Sequence, residues 1–290
     1  MKLVFWTDLL KSPQPDLGYA DEVAAAHAAG FETVLLDIKA LAYERDVRAT
    51  VRHIQPSDQP TPALYRGLML KPALYAELYD ALKTRGLLLI NDPAAYRHCQ
   101  SLPESYPIIA PHLPRTVALP LTPNAPLPDL TSLLLPFGDH PLRVRYYAQS
   151  YEYDLYNECI LPNAADQPEV QRIMTHFLEM QSDDLNEGVV FHEFVDSPPL
   201  MEAFRLWFVD GQRIFTAPYW EDDAYTTSVP DDLFAEVARQ VQSRFFMIDV
   251  VRRLDGNWQF FELVDGQVAS LPMTADVALF YRALRAALAP

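Results

Sequence analysis

Nine glycines and two cysteines are all that this chain of 290 residues contains. The glycines form neither a G-x-G-x-x-G nor a G-x-x-x-x-G-K-[ST] string, which excludes the commonest loops that cradle phosphate with bare backbone. Cys99 and Cys159 stand sixty residues apart, so the chain encodes no disulfide framework and no C-x-x-C metal ribbon. Basic residues are outnumbered 39 to 23 and the formal charge is −16. A nucleic-acid backbone needs clustered Lys and Arg, so nucleic acid is not expected as a partner. No apolar run approaches the roughly 20 residues of a transmembrane helix. The N-terminus reaches Asp8 too early for a signal-peptide core. These absences lead us to expect a cytoplasmic protein with no membrane partner. His27, His53, His112, His140 and His176 show no H-x-x-x-H or H-E-x-x-H spacing, which argues against zinc.

Half of the residues are apolar and 12% aromatic, enough for a sizeable core. The first hundred residues alternate short apolar strands (Lys2–Trp6, Thr33–Asp37, Leu64–Leu70, Leu87–Ile90) with helices at 19–29 and 72–85. Gly30 and Gly86 follow the two helices as C-cap residues, and a third helix begins at Pro93 behind Asn91 or Asp92. That order predicts a parallel α/β sheet. Nine of the 25 prolines then fall between Pro103 and Pro136. The density is too high for helix or central strand and predicts a packed connector. Beyond it the pattern turns antiparallel. Strands are expected at 142–148, 155–161 and 189–195, with a helix at 168–180. Hairpins are expected around Asp210-Gly211 and Asp255-Gly256, with an amphipathic helix at 231–245 separating them. The resulting division is 1–102, 103–136, 137–195 and 196–290.

Local strings sharpen this order. Arg66-Gly67-Leu68-Met69-Leu70-Lys71-Pro72, Arg97-His98-Cys99 and Leu102-Pro103-Glu104-Ser105-Tyr106-Pro107 resemble the front portion of a bacterial and phage ATP-grasp clade, named for two conserved arginines and a lysine. Phe204-Arg205-Leu206-Trp207-Phe208, Ser243-Arg244-Phe245-Phe246 and Glu262-Leu263-Val264-Asp265-Gly266-Gln267-Val268-Ala269 resemble its later motifs. The resemblance implies an α+β ATP-grasp fold of two subdomains with a nucleotide sandwiched between them, a lid at 137–195 and a metal-binding part at 196–290. A small Rossmann-like α/β domain at 1–102 would precede it. It also implies ATP and Mg2+ as cofactors and an amide- or peptide-forming ligase, joining a carboxylate to an amine through an acyl phosphate. The alternative is a degenerate member that binds nucleotide, or a partner, without ligase chemistry.

Asp249 and Glu262 lie thirteen positions apart on two apolar strands joined by a D-G turn. Two carboxylates in such surroundings repel each other and are costly to bury. A divalent cation removes both penalties, and Mg2+ takes one or two carboxylates together with phosphate oxygens and water. Asp265 is a possible third ligand. The competing reading makes these carboxylates ion-pair partners of Arg205, Arg244 or Arg252. By resemblance, Arg145 stands where the clade has its lid lysine, and Arg143 shares its face of the strand; a solvated sheet face is the alternative for both. His192 replaces a usual arginine, and protonation there would make binding pH-sensitive. Backbone groups of Glu193, Phe194 and Val195 are expected to meet adenine, and the Glu193 side chain the ribose. Ala203 replaces a usual acidic residue. Arg205 is expected to stabilise the transferred phosphoryl group or to bind the acceptor carboxylate, with a strand ion pair as its alternative.

Overall fold

The computed structural model describes residues 1–147, 158–181, 185, 187–194, 202–220, 225 and 227–289. The chain opens with β1 (Lys2–Trp6), α1 (Ala20–Ala28), β2 (Glu32–Leu36), β3 (Thr61–Tyr65), α2 (Pro72–Lys83), β4 (Leu87–Leu89) and α3 (Pro93–Gln100). Pro72 begins α2, where its missing N–H costs nothing. The Asp92 carboxylate accepts the Ala95 N–H at 2.8 Å and so caps α3. The four strands form an all-parallel sheet in the order β2-β1-β3-β4. β3 ends before the expected Leu70. The chain turns at Gly67, where a Cβ would come within 2.6 Å of the Trp6 ring.

Next come α4 (Leu102–Ile109), β5 (Thr116–Pro120), α5 (Thr131–Leu134), β6 (Leu142–Tyr146), β7 (Glu158–Leu161), α6 (Gln167–Gln181) and β8 (Gly188–Glu193). The proline-rich 103–136 stretch is therefore not the helix-free connector expected. Pro103 falls in the first turn of α4, and Pro120 ends β5, an edge strand where a missing N–H is tolerated. The antiparallel sheet runs β5-β8-β6-β7. Its Leu142, Val144, Val189 and Phe191 pack with Val170, Met174 and Phe177 of α6.

The last part holds β9 (Glu202–Val209), β10 (Gln212–Pro218), α7 (Ala235–Gln240), β11 (Phe245–Arg252), β12 (Trp258–Asp265) and α8 (Val277–Ala287). Asp210 and Gly211 both take positive φ, the requirement of a type I′ turn, and β9 and β10 pair on either side of it. α7 is shorter than expected because Phe234 enters it in the left-handed region and Val241 is already extended. The antiparallel sheet runs β10-β9-β11-β12.

The chain divides into two compact units, one of Met1–Cys99 with Leu200–Pro290 and one of Gln100–Pro199. In the first, Trp6, Tyr65 and Tyr75 share a continuous core with Trp207, Phe215, Phe245 and Phe280. A buried ion pair fastens that core. Arg66, 1% exposed at its side chain, donates from Nε and Nη2 to both Glu22 oxygens, and Glu22 also accepts from the Tyr281 hydroxyl at 2.6 Å. The guanidinium also donates to the Gly266 and Ala269 carbonyls just past β12.

Candidate functional site

In the first unit, cross-strand register sets Ala217, Arg205, Asp249 and Glu262 in one row across β10, β9, β11 and β12. Two irregularities create the row. Register shifts by one residue within Arg213–Phe215 and again at Asp249–Val250, where Phe261 is the extra residue on β12. Such bulges re-aim side chains, and the second turns Glu262 toward Asp249. Arg205 grips Asp249 as a fork, Nε to Oδ1 at 2.9 Å and Nη2 to Oδ2 at 2.8 Å. Its Nη1 donates to the Ser270 carbonyl at 2.7 Å.

Asp249 is 5% exposed, and burial raises its pKa against the lowering effect of Arg205. Glu262 is half-buried, and its charge reaches both Arg205 and Tyr219. Tyr219 lies over Arg205, with the guanidinium carbon 5.0 Å from the ring centre. Burial raises its phenol pKa first, with Asp249 and Glu262 adding to the rise. Tyr219 was not among the residues expected at the site. It lies two residues past Ala217, the cross-strand partner of Arg205, and regular hairpin counting without the β10 bulge puts it on the opposite face.

Asp265 does not join this row. It stands three residues beyond Glu262, which turns it to the other side of β12. It is fully buried, and its oxygens accept from Asn91 Nδ2 at 2.7 Å and from the Gln267 backbone N–H at 2.9 Å. Burial pushes its pKa up to about 7 against those bonds. Among the described residues no group of three or more His, Cys, Asp or Glu is placed to hold a metal. The acidic set is thus a carboxylate pair. Cys99 is buried, which pushes its thiol pKa well up and makes it a poor nucleophile.

In the second unit, Arg143 and Arg145 alternate on β6 with the core residues Leu142 and Val144, so both project from the opposite face. His192 on β8 is the cross-strand partner of Arg143 on one side and of Thr116 on the other. Burial, then Arg145 and Arg143, hold its imidazole down to about 3. The expected pH switch near neutrality is therefore absent; the ring stays neutral. The unfolded chain takes a proton at about 6.5 that the folded chain refuses. Acidification from pH 7 to 4 should thus lower the melting temperature of the wild type relative to His192→Gln, and parallel curves would contradict it.

The Glu193 and Phe194 amides already donate to the Arg115 and Pro141 carbonyls, each at 2.8 Å. Those two N–H groups are thus engaged within the second unit. The Glu193 carboxylate lies 3.8 Å from His140 Nε2, and the Phe194 ring packs 5.7 Å from the Arg143 guanidinium carbon. Val195 lies outside the described residues. Ala203 is buried on β9, and its carbonyl accepts the Tyr219 N–H at 2.9 Å.

Comparison with known proteins identifies the family. A family model described as ATP-grasp domain, R2K clade family 3, matches residues 136–284, just over half of the chain. No curated protein matches. Among solved structures, D-cycloserine synthetase DcsG is similar over 99% of both chains with a TM-score of 0.60 at 15% identity. The ATP-grasp ligase PsnB, complexed with a phosphomimetic variant of its minimal precursor, Mg and ADP, is similar over 98% of both chains (TM-score 0.60, 13% identity). D-alanine–D-alanine ligase from Bacillus anthracis, complexed with ATP, is similar over 99% of this chain and 94% of that one (TM-score 0.55, 13% identity). At these identities the likeness is one of fold.

Proposed function

Since the chain belongs to the ATP-grasp superfamily, R2K clade family 3, we propose that it binds Mg-ATP and joins a carboxylate to an amine through an acyl phosphate. The observation that carries this reading is the pairing of Asp249 with Glu262 directly across two strands beside Arg205. Two oxygen-donor carboxylates in a desolvated row suit a small hard cation, and they leave positions for phosphate oxygens and water. Bound there, Mg2+ would neutralise phosphate charge. Asp249 and Glu262 would hold it, with Asp265 left to its structural bonds. Arg143 and Arg145 would meet the phosphates, Arg145 through a planar fork in place of a compact ammonium. Arg205, fixed by Asp249, Ser270 and the Tyr219 ring, would present a preorganised charge to the transferred phosphoryl group or to the acceptor carboxylate. Mg and ADP in the PsnB complex and ATP in the D-alanine–D-alanine ligase complex support the cofactor assignment by analogy of fold. No helix of the described residues is long and apolar enough to cross a membrane, and a cytoplasmic setting belongs to the same proposal.

The test is thermal stabilisation. A ligand bound only by the native state at 100 times its Kd adds about 2.7 kcal/mol. Millimolar Mg-ATP should raise the melting temperature, and ATP with a chelator should do so less. No shift with either sinks the proposal. The Arg205–Asp249 fork favours one second reading, a nucleotide binder whose arginine is held by its own carboxylate. ADP release with a panel of acids and amines separates the two, because only a ligase releases ADP in step with amide formed.

A further inference from the structure

The first unit has four sheet edges, β2 and β4 in the parallel sheet and β10 and β12 in the antiparallel one. Three of them are blunted against further strands. β4 is only three residues long, and β10 and β12 are bulged. β2 pairs with β1 in unbroken register and contains no proline, lysine or bulge. The Thr7 N–H donates to the Leu36 carbonyl, so the even-numbered residues of β2 face β1 and the odd-numbered ones face outward. Part of that outward row is already occupied. Phe31 N–H donates to the Ala26 carbonyl at 3.0 Å and Asp37 N–H to the Thr50 carbonyl at 3.1 Å. Leu35 C=O accepts from His53 Nε2 at 2.7 Å. Phe31 C=O, both groups of Thr33 and Leu35 N–H are left without a hydrogen-bond partner among the described residues. A cavity of about 590 Å3 lies beside them. Thr33, Val34 and Leu35 all line it, so it follows the strand's edge and not one face of the sheet.

We infer that a second copy of this chain adds its own β2 antiparallel to this edge, about a two-fold axis through Thr33. The free groups are self-complementary on that axis. Thr33 N–H meets Thr33 C=O of the second copy and the reverse, and each Leu35 N–H meets the other copy's Phe31 C=O. The groups already engaged also fall opposite each other: Leu35 C=O faces Phe31 N–H. Moving the axis to Val34 would set Thr33 N–H against the Leu35 carbonyl that His53 holds. The contact is isologous, as a two-fold dimer requires. Charge agrees with this register. Asp37 falls opposite Ala29, the C-cap of α1. Arg52, 3.5 Å from Asp37 and 57% exposed, then meets the negative end of the second copy's helix dipole. The inference is independent of the nucleotide reading.

Position 33 faces itself across the axis, and a charge placed there tests the register. Sedimentation equilibrium of the full chain should show a monomer–dimer equilibrium for wild type. Thr33→Lys and Thr33→Glu, each alone, should raise the dimer's Kd at least about tenfold, because like charges then stand opposite one another. Both leave every backbone hydrogen bond in place. Mixed in equal amounts, they should form a heterodimer. Leu35→Pro removes an outward N–H on an edge strand, where proline is tolerated, and should also sediment as a monomer. A wild type that is monomeric overturns the inference. So does a Thr33→Lys protein that dimerises as tightly as wild type, since its axis then lies elsewhere. A lysine–glutamate mixture that stays monomeric overturns it too.

Discussion

Glu262→Gln is expected to remove the magnesium-dependent part of nucleotide stabilisation while leaving the free protein's melting temperature within about 2 °C of wild type. Asp249→Asn is expected to lose both the magnesium-dependent shift and stability, because the two carboxylates have unequal duties. Asp249 is the counter-charge of Arg205, whose side chain is 10% exposed. Removing that charge leaves the buried guanidinium with only the half-buried Glu262, the Ser270 carbonyl and the Tyr219 ring, which costs up to about 3–5 kcal/mol. Glu262 is half-buried on the outer strand β12 and leaves the Arg205–Asp249 fork whole when it is neutralised. Melting curves without ligand, with Mg-ATP and with ATP plus chelator separate the cases. A Glu262→Gln protein that keeps the full metal-dependent shift removes Glu262 from the proposed metal site. An Asp249→Asn protein that melts with wild type shows that the fork contributes nothing to the fold. The single Glu262 variant is thus the cleaner probe, since a double variant confounds metal loss with the stranding of Arg205.

The strands of both hairpins were legible because Asp210-Gly211 and Asp255-Gly256 announce their turns and apolar residues fill the flanks. Their registers were not. Each hairpin carries one bulge, and nothing in Arg213-Ile214-Phe215 or Phe260-Phe261-Glu262 marks it. One extra residue reverses which side chains face which side. The first bulge brings Tyr219 to Arg205; in the second hairpin the loop is one residue longer than a two-residue Asp255-Gly256 turn, and the bulge at Phe261 restores the Asp249–Glu262 pairing that such a turn counts out. The proline-rich stretch misled for a related reason. Proline is forbidden by hydrogen bonding, and hydrogen bonding depends on position: a first helical turn and an edge strand leave N–H groups idle. His192 misled because its chemistry is set by neighbours from other strands. Thr116 lies 76 residues away and Arg143 lies 49 away, so the neutral ring is not encoded in the local string. The composition and the quoted motifs sufficed for the family. The geometry within the site needed the strands paired.

A loss of stability of the same size should come from a residue outside the proposed chemistry. Arg66→Met is expected to cost about 3–5 kcal/mol, read as a lower urea midpoint with the slope unchanged. The side chain is buried at the end of β3 and answers to five groups at once: both oxygens of Glu22 and the carbonyls of Gly266, Gln267 and Ala269. Methionine fills a similar volume but donates nothing, so Glu22 keeps its charge with the Tyr281 hydroxyl as its main remaining donor. A buried pair replaced on both sides by apolar residues often recovers most of its stability. Here Arg66→Met combined with Glu22→Leu should recover only part, because the carbonyls of the 266–269 turn remain without their donor. That turn follows directly on β12, four to seven residues past Glu262, and Ser270 at its end binds Arg205. Loosening it should therefore weaken the Mg-ATP shift as well as the fold. Full recovery in the double variant would mean that the turn does not depend on Arg66. An unchanged urea midpoint in Arg66→Met would mean that the ion pair contributes no net stability.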